Sequence, residues 1–224
     1  MERNDFKMDL SVYLPFWNKL TENQRNKLSN SVIHKFAQKG AKLHNGLECT
    51  GLLIVKSGQL RAYITSDEGR EITIYRLFDM DICLFSASCI INSLQFTVNI
   101  DAQKDSELYI IPADLYKNLM DTLAPVANYT NELMATKFSE VMWLIEQIMW
   151  KSMDKRLAKF LLDESSIENS KNLKVTHEII ANHIGSAREV VTRMLKYFQS
   201  EGMVKLTRGT IEIIDIKALQ NIFD

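Results

Sequence analysis

Residues 175–195 constrain the fold of this chain more than any other stretch, because they predict two short helices joined by a sharp turn. Thr176 stands where a side-chain oxygen caps a first helix. The apolar stripe of this helix is Ile179, Ile180 and Ile184. Gly185 ends the helix, since glycine reaches positive φ without a steric penalty. The stretch therefore predicts a helix-turn-helix.

The second helix of this motif is predicted to begin at once. Ser186 and Glu189 match the S-x-x-E capping box, in which the two side chains satisfy backbone donors at a helix start. The apolar positions are Val190, Val191, Met194, Leu195 and Phe198. The opposite face carries Arg188, Glu189, Thr192, Arg193 and Lys196. We therefore expect an amphipathic helix with a strongly polar exposed side.

This polar side has the chemistry that reads the major groove of DNA. Arginine forks onto guanine O6 and N7, glutamate accepts from cytosine N4, and residues near a helix start reach base edges. The same pattern also fits an ordinary helical hairpin with a solvated face. Residues 202–214 favour the first interpretation, because they alternate on either side of Arg208-Gly209 as a β-hairpin does. A hairpin placed after a helix-turn-helix is a wing.

The predicted helix-turn-helix and wing together resemble the carboxyl-terminal domain of the Crp/Fnr family of bacterial regulators. The matching residues are Gly185, Arg188, Glu189, Val191, Arg193 and the strand at residues 210–213. The resemblance implies that Arg188, Glu189 and Arg193 read a half-site of the TGTGA type. It also implies that a polar loop, expected at residues 163–172, can contact RNA polymerase.

The predicted DNA contacts extend slightly beyond these three side chains. The full set is Ser186, Arg188, Glu189, Thr192, Arg193, Lys196 and Arg208. The net charge of the chain is −1, and residues 151–224 hold twelve Lys and Arg against ten Asp and Glu. We therefore expect only modest non-specific affinity for DNA, with few phosphate contacts.

Residues 31–111 show a different pattern, with short alternating runs separated by glycine or polar turns. Examples are residues 51–58, 59–64 and 71–77. Regularly spaced runs of this kind predict an all-β barrel or jelly roll. The region resembles the cyclic-nucleotide-binding-like β-roll of the same family.

The resemblance does not extend to the nucleotide-binding signature. Cyclic-nucleotide binders of the family place a Gly-Glu pair on the ribose and an Arg-Ser/Thr pair on the phosphate, and residues 84–97 lack both the glutamate and the arginine. We therefore expect not cAMP but another small-molecule effector, of apolar or aromatic character. The candidate pocket residues are Phe85, Ser86, Ser88, Phe96 and Thr97. The same residues also fit a role as barrel filling.

Other cofactors are not expected either. No cysteine precedes Cys49, so the iron–sulfur cluster of the oxygen-sensing members has no ligands near the amino terminus. His44 is a lone histidine in a turn, which is a weak basis for haem. The three cysteines, Cys49, Cys83 and Cys89, are expected to be reduced thiols, although Cys83 and Cys89 as a redox pair is an alternative.

A long helix is predicted from about residue 125 to 150. Its seam residues, spaced alternately by four and three, are Met134, Phe138, Val141, Ile145 and Ile148. A buried core helix has a similar composition, but such a seam in front of a DNA-binding domain favours a parallel homodimer. The pairing would place two recognition helices about one DNA turn apart.

The predicted fold class is α+β, in three parts. Residues 1–122 form a sensor β-roll or jelly roll, residues 123–150 a dimerisation helix, and residues 151–224 a winged helix-turn-helix. The expected function is a DNA-binding transcription regulator that is not an enzyme, with double-stranded DNA, a second copy of the chain and RNA polymerase as partners. The alternative is a small-molecule or redox sensor that acts through protein contacts. No apolar run approaches the ~20 residues that cross a bilayer, so we expect a cytoplasmic protein without a membrane partner.

Overall fold

The computed structural model describes residues 10–46, 49–90 and 97–223, without the side chains of residues 88–90. The chain forms two compact units. The first comprises Met1–Ile64 and Ile74–Glu140, and the second comprises Thr65–Thr73 and Val141–Asp224. The three-part boundaries expected from the sequence stay predictions.

The helices and strands are largely segregated along the chain, with β1 to β8 in one run and most helices after it, as in an α+β protein. The helices are α1 (Glu22–Ser31), α2 (Ala113–Thr122), α3 (Ala124–Trp150), α4 (Met153–Ile167), α5 (His177–Ile184), α6 (Arg188–Ser200) and α7 (Ile216–Phe223). Three 3₁₀ segments lie at Leu10–Val12, Trp17–Lys19 and Phe85–Ile90. The strands are β1 (Ile33–Ala37), β2 (Lys42–His44), β3 (Leu52–Ser57), β4 (Leu60–Thr65), β5 (Glu71–Leu77), β6 (Ile82–Cys83), β7 (Asn99–Ala102), β8 (Ser106–Ile111), β9 (Asn172–Leu173), β10 (Val204–Thr207) and β11 (Thr210–Ile213).

Two four-stranded sheets build the β-roll, which confirms the predicted fold. Their strand orders are β1-β8-β3-β6 and β2-β7-β4-β5. Strand β3 is buried on both faces, and its successive side chains point alternately into two different hydrophobic cores. Leu53 and Val55 belong to the core that the strands of both sheets share, whereas Leu52 and Ile54 pack in the core formed with the helical segments. A strand buried on both sides explains the unbroken apolar run in the sequence.

The second unit has a three-stranded antiparallel sheet, ordered β10-β11-β9, together with α4 to α7. The wing hairpin pairs Thr207 with Thr210, as the alternation around Arg208-Gly209 predicted. The fully buried side chains at its centre include Leu157, Leu161, Val191, Leu195 and Phe198. These residues come from α4 and α6, so the core of this unit fixes the buried side of α6.

The predicted start of α6 is wrong by one residue. The helix begins at Arg188 after Ala187, which has no side-chain cap, so the Ser186–Glu189 capping box does not form. The reason is local: the Ser186 amide donates to Ala181 O at 3.0 Å and so completes the end of α5. Ser186 therefore belongs to the turn rather than to the helix.

The predicted polar loop at residues 163–172 is also shorter than expected. Helix α4 continues to Ile167, and within it Lys159 pairs with Asp163 at 3.1 Å. The Ser166 hydroxyl donates to Leu162 O at 3.0 Å. These i to i+4 contacts support a helix in a polar stretch that contains neither glycine nor proline before residue 168.

The expectation that all three cysteines are reduced is wrong for Cys49, which forms a disulfide. Cys83 is a free and fully buried thiol, and burial raises its pKa. The segment after Cys49 is held by the amides of Thr50 and Gly51, which donate to Ser86 O at 3.0 and 3.2 Å. The fold thus brings together segments far apart in sequence, which cysteine spacing alone does not reveal.

Candidate nucleic-acid interface

Three local interactions fix the angle between the two helices of the motif. The Thr176 hydroxyl accepts from the Ile179 amide at 3.2 Å and caps α5, as predicted. Gly185 has φ of 64°, the left-handed conformation that the turn requires. From α4, Arg156 Nη1 donates to Ile184 O at 2.9 Å and satisfies a carbonyl at the end of α5. The first helix is thereby capped at both ends.

Helix α6 presents the predicted polar face to solvent. Arg188, Glu189, Arg193 and Lys196 are exposed, while Thr192 is partly buried. Ser186 is also partly buried and lies in the turn before α6. The buried side of α6 is Val191, Leu195 and Phe198, each fully buried. Because apolar packing anchors one side of the helix, the charged side chains project from the other.

The wing lies beside the start of α6. The β10–β11 turn carries Arg208, which is exposed, and Gly209, whose φ is 76°. A cleft of about 440 Å³ is lined by Arg188, by the first residues of α5, and by wing residues that include Thr207 and Thr210. The predicted DNA-contacting side chains thus occupy α6, the preceding turn and the wing.

His177 is a further residue in this surface, and the sequence reasoning missed its role. It is the first residue of α5, and its Nδ1 lies 2.9 Å from Thr192 Oγ1 on α6. The Thr192 hydroxyl also lies 2.9 Å from Arg188 O, to which it donates. The contact with Arg188 is the usual i to i−4 bond of a helical threonine, whereas the contact between His177 and Thr192 does not follow from sequence spacing, because the two residues are on different helices.

The effector-pocket candidates occupy different environments in the first unit. Phe85 is 6 % exposed, and its ring centroid lies 5.9 Å from that of Tyr75. The Ser86 hydroxyl is fully buried, lies within 2.7 Å of Gly51 O and Cys83 O, and accepts from the Leu53 amide. These bonds give the Ser86 hydroxyl a structural role.

The remaining pocket candidates are less informative. Thr97 is exposed. Phe96 and the side chain of Ser88 lie outside the described part of the chain. Among the candidate pocket residues, Phe85 is therefore the one whose ring lies in the buried core beside another aromatic side chain.

A buried lysine next to this aromatic pair is a second feature that the sequence reasoning missed. Lys137 of α3 is 9 % exposed, and its Nζ lies 4.4 Å from the centre of the Tyr75 ring. Its ammonium also donates to both carboxylate oxygens of Glu140, at 3.0 and 2.9 Å. The signal in the sequence is the pair Lys137 and Glu140, opposite charges spaced i to i+3 within a largely apolar helix. Lys137 joins α3 to β5 through a cation–π contact.

The second half of α3 carries an exposed apolar face. Exposed fractions of 65 %, 46 %, 40 % and 65 % are found for Phe138, Met142, Ile145 and Met149. Ile148 is also exposed and Val141 is partly buried, whereas Met134 packs against the helical core of the first unit. Four of the five predicted seam residues thus lie on or beside this face, and Met134 contributes to the core instead. We name Phe138, Val141, Met142, Ile145, Ile148 and Met149 the α3 apolar face.

Comparison with known proteins identifies this architecture. The Crp-like helix-turn-helix domain family matches residues 155–222, and the cyclic nucleotide-binding domain family matches residues 34–122. The crystal structure of a transcriptional regulator of the Crp/Fnr family from Eubacterium rectale is 64 % identical, superposes with a TM-score of 0.93, and covers 94 % of this chain and 98 % of its own. The chain belongs to the Crp/Fnr family. The resemblance inferred from the winged helix and the β-roll is thereby confirmed.

More distant relatives in the Crp/Fnr family carry different names. The cyclic AMP receptor protein of Thermus thermophilus is 26 % identical over 76 % of this chain and 78 % of its own length. The fumarate and nitrate reduction regulatory protein of Yersinia pestis is 27 % identical over 89 % of this chain and 82 % of its own length. This Crp/Fnr chain is therefore a transcription regulator with a helix-turn-helix DNA-binding domain, and its homologues are regulators rather than enzymes.

Two further observations concern the described residues of this regulator. In residues 10–46, 49–90 and 97–223, no helix combines the length and apolar character needed to cross a bilayer. Within the same ranges, no three His, Cys, Asp or Glu side chains are grouped so as to hold a metal ion.

Proposed function

We propose that this Crp/Fnr protein is a homodimer that reads a near-palindromic DNA site with TGTGA-like half-sites. The observation that carries the proposal is the outward presentation of Arg188, Glu189 and Arg193 on a helix whose other side is buried. These are the residue types that the family resemblance associates with that half-site. The proposal deepens the family assignment from DNA binding in general to a particular site.

The chemistry of base reading follows from the position of each side chain on α6. Arg188 begins the helix, and its guanidinium fork matches guanine O6 and N7 in the major groove. Glu189 is its neighbour and accepts from cytosine N4. Lys196 and Arg208 carry charge farther along α6 and on the wing, which suits contacts with phosphates.

The α3 apolar face supports the homodimer. An exposed apolar surface of this kind marks a contact with another protein, and residues spaced by four and three suit a helix pair. A parallel pair of α3 helices gives a twofold molecule with two copies of α6, which matches a palindromic site. The second copy of the chain is therefore the partner that we assign to this face.

An effector in the β-roll would act on DNA binding through α3. The contact between Lys137 and Tyr75 supports this route, because it connects β5 to the helix that carries the α3 apolar face. We assign the effector to aromatic compounds, since Phe85 and Tyr75 form the aromatic pair beside Lys137. cAMP is not the expected ligand, because residues 84–97 lack the glutamate and arginine of the nucleotide signature.

The decisive experiment measures DNA affinity of Arg188→Ala on matched and altered half-sites. We expect wild type to prefer a palindromic duplex over a scrambled one, and the variant to lose about 1–3 kcal/mol of discrimination at one guanine. The control is Arg208→Ala, which removes a phosphate contact and should weaken binding uniformly while lowering the salt slope by about one.

Two outcomes would reject the proposed function. One is equal affinity of the folded wild type for palindromic and scrambled duplexes. The other is binding that is insensitive to salt, which would favour the alternative of a sensor that acts through protein contacts.

A further inference from the structure

The contact between His177 and Thr192 joins the first helix of the motif to the reading face of the second. The two side-chain atoms, Nδ1 and Oγ1, are 2.9 Å apart. Both residues are partly buried, so the contact is shielded from bulk water more than an exposed one. Thr192 lies between Glu189 and Arg193 on the polar face of α6, one turn after Arg188. A restraint on Thr192 therefore acts in the middle of the predicted DNA-contacting residues.

The hydrogen-bond pattern determines which ring nitrogen of His177 carries the proton. The Thr192 hydroxyl has one hydrogen and donates it to Arg188 O, a carbonyl that can only accept. Oγ1 must then accept from His177, so the hydrogen of the neutral ring is on Nδ1. The lone pair of the neutral imidazole is consequently on Nε2. A proton added at Nε2 leaves the bond to Thr192 intact.

The surroundings of His177 link its charge to DNA. His177 lines the 440 Å³ cleft together with Glu178 and Arg188, and Arg208 stands between the two lining wing residues Thr207 and Gly209. Burial lowers the pKa of His177 in the free protein, and the positive charge of Arg188 lowers it further. DNA phosphates that approach this surface favour the imidazolium and so raise the same pKa. DNA binding is then accompanied by proton uptake.

We propose that His177 is a positioning residue that holds Thr192 in its reading orientation through Nδ1–H, and that a proton taken up at Nε2 strengthens DNA binding. The inference rests on the proposed function of α6 as the DNA-reading helix. Positioning and proton uptake use different ring nitrogens, so discrimination between sites is independent of pH while overall affinity is not.

The sign of the pH effect follows from the direction of the shift. At a pH between the pKa of His177 in the free protein and its pKa in the DNA complex, His177 is neutral in the free protein and protonated in the complex. Affinity is therefore highest below the free-state pKa of His177, which lies below its usual value, and falls as pH rises through the pKa in the complex. Sequence discrimination stays constant over the same interval.

Two substitutions separate the two roles. In His177→Asn the amide N–H replaces Nδ1–H but does not titrate, so we expect wild-type discrimination with a flatter pH profile of affinity. In His177→Ala both the N–H donor and the titratable group are lost. Discrimination between the palindromic and the scrambled duplex should then fall about threefold to tenfold, as for the loss of one hydrogen bond. His34→Asn is the control for removing a histidine elsewhere, since His34 pairs with Glu107 on the β-roll. Fluorescence anisotropy with palindromic and scrambled duplexes between pH 5.5 and 8 gives both quantities.

The inference is overturned if His177→Asn discriminates as poorly as His177→Ala, or if its pH profile equals that of wild type. A measurement on the free protein separates this failure from failure of the proposed function. Nitrogen chemical shifts of isotope-labelled histidine should show the hydrogen of neutral His177 on Nδ1, and Thr192→Val should remove that preference. A hydrogen on Nε2 would refute the positioning role even in a protein that reads DNA as proposed.

Discussion

At the scale of the residue, the turn of the helix-turn-helix depends on one backbone conformation. Gly185 has φ of 64°, which costs an L-residue about 1 kcal/mol or more. We predict that Gly185→Ala lowers the free energy of unfolding by more than that amount, because a Cβ at this position would also meet Ile72 Cδ1 at 2.6 Å. The substitution should also weaken DNA binding, because strain at the turn changes the angle between α5 and α6. Urea denaturation and DNA titration measure the two effects.

Gly202 provides the matched control for this prediction. It has φ of 74°, and a Cβ built on it meets no atom within 4 Å. Gly202→Ala should therefore cost only the penalty of its positive φ, which is less than the cost of Gly185→Ala, while DNA affinity stays within about twofold of wild type because Gly202 is remote from the α5–α6 angle. Equal losses of affinity in both variants would show that the Gly185 effect is only a loss of stability.

At the scale of the element, α3 carries the prediction about assembly. Phe138 is 65 % exposed in the single chain and lies at one end of the α3 apolar face. We predict that Phe138→Lys raises the dimer dissociation constant about tenfold or more, because a charge replaces an aromatic anchor at the interface. Sedimentation velocity measures it, with Ser139→Lys as the control that adds the same charge to an exposed position about 100° around the helix. Equal dissociation constants for the two variants would contradict this assignment of the face.

The elements also show which parts of the molecule a sequence can predict. Gly185, the Thr176 cap and the Arg208-Gly209 hairpin depend on neighbours within a few residues, and all three were predicted correctly. The failed Ser186 capping box was a local competition, since the Ser186 amide is used to end α5. By contrast, the pairs His177–Thr192 and Lys137–Tyr75 each join two separate elements, so the periodicity of the sequence within one element does not predict them.

At the scale of the whole molecule, function rests on geometry more than on charge. The net charge of −1 gives little long-range attraction to DNA, so affinity has to come from a few well-placed contacts, which the proposed homodimer would repeat in two protomers. A twofold arrangement doubles these contacts at a fixed separation, and it makes the spacing of half-sites part of the recognition. We therefore expect two copies of α6 to bind one face of the duplex.

Twofold recognition of this kind is tested by the affinity of the protein for duplexes in which the distance between two TGTGA half-sites is varied. We predict two protomers per duplex and strongest binding when the half-site centres are about one helical turn, or ~10 base pairs, apart. We further predict a steep loss of affinity when about half a turn of DNA is inserted, since the second half-site then faces away from its α6. Affinity that does not depend on the spacing, or protomers that bind the two half-sites without cooperativity, would show that the protein does not read DNA as a twofold dimer.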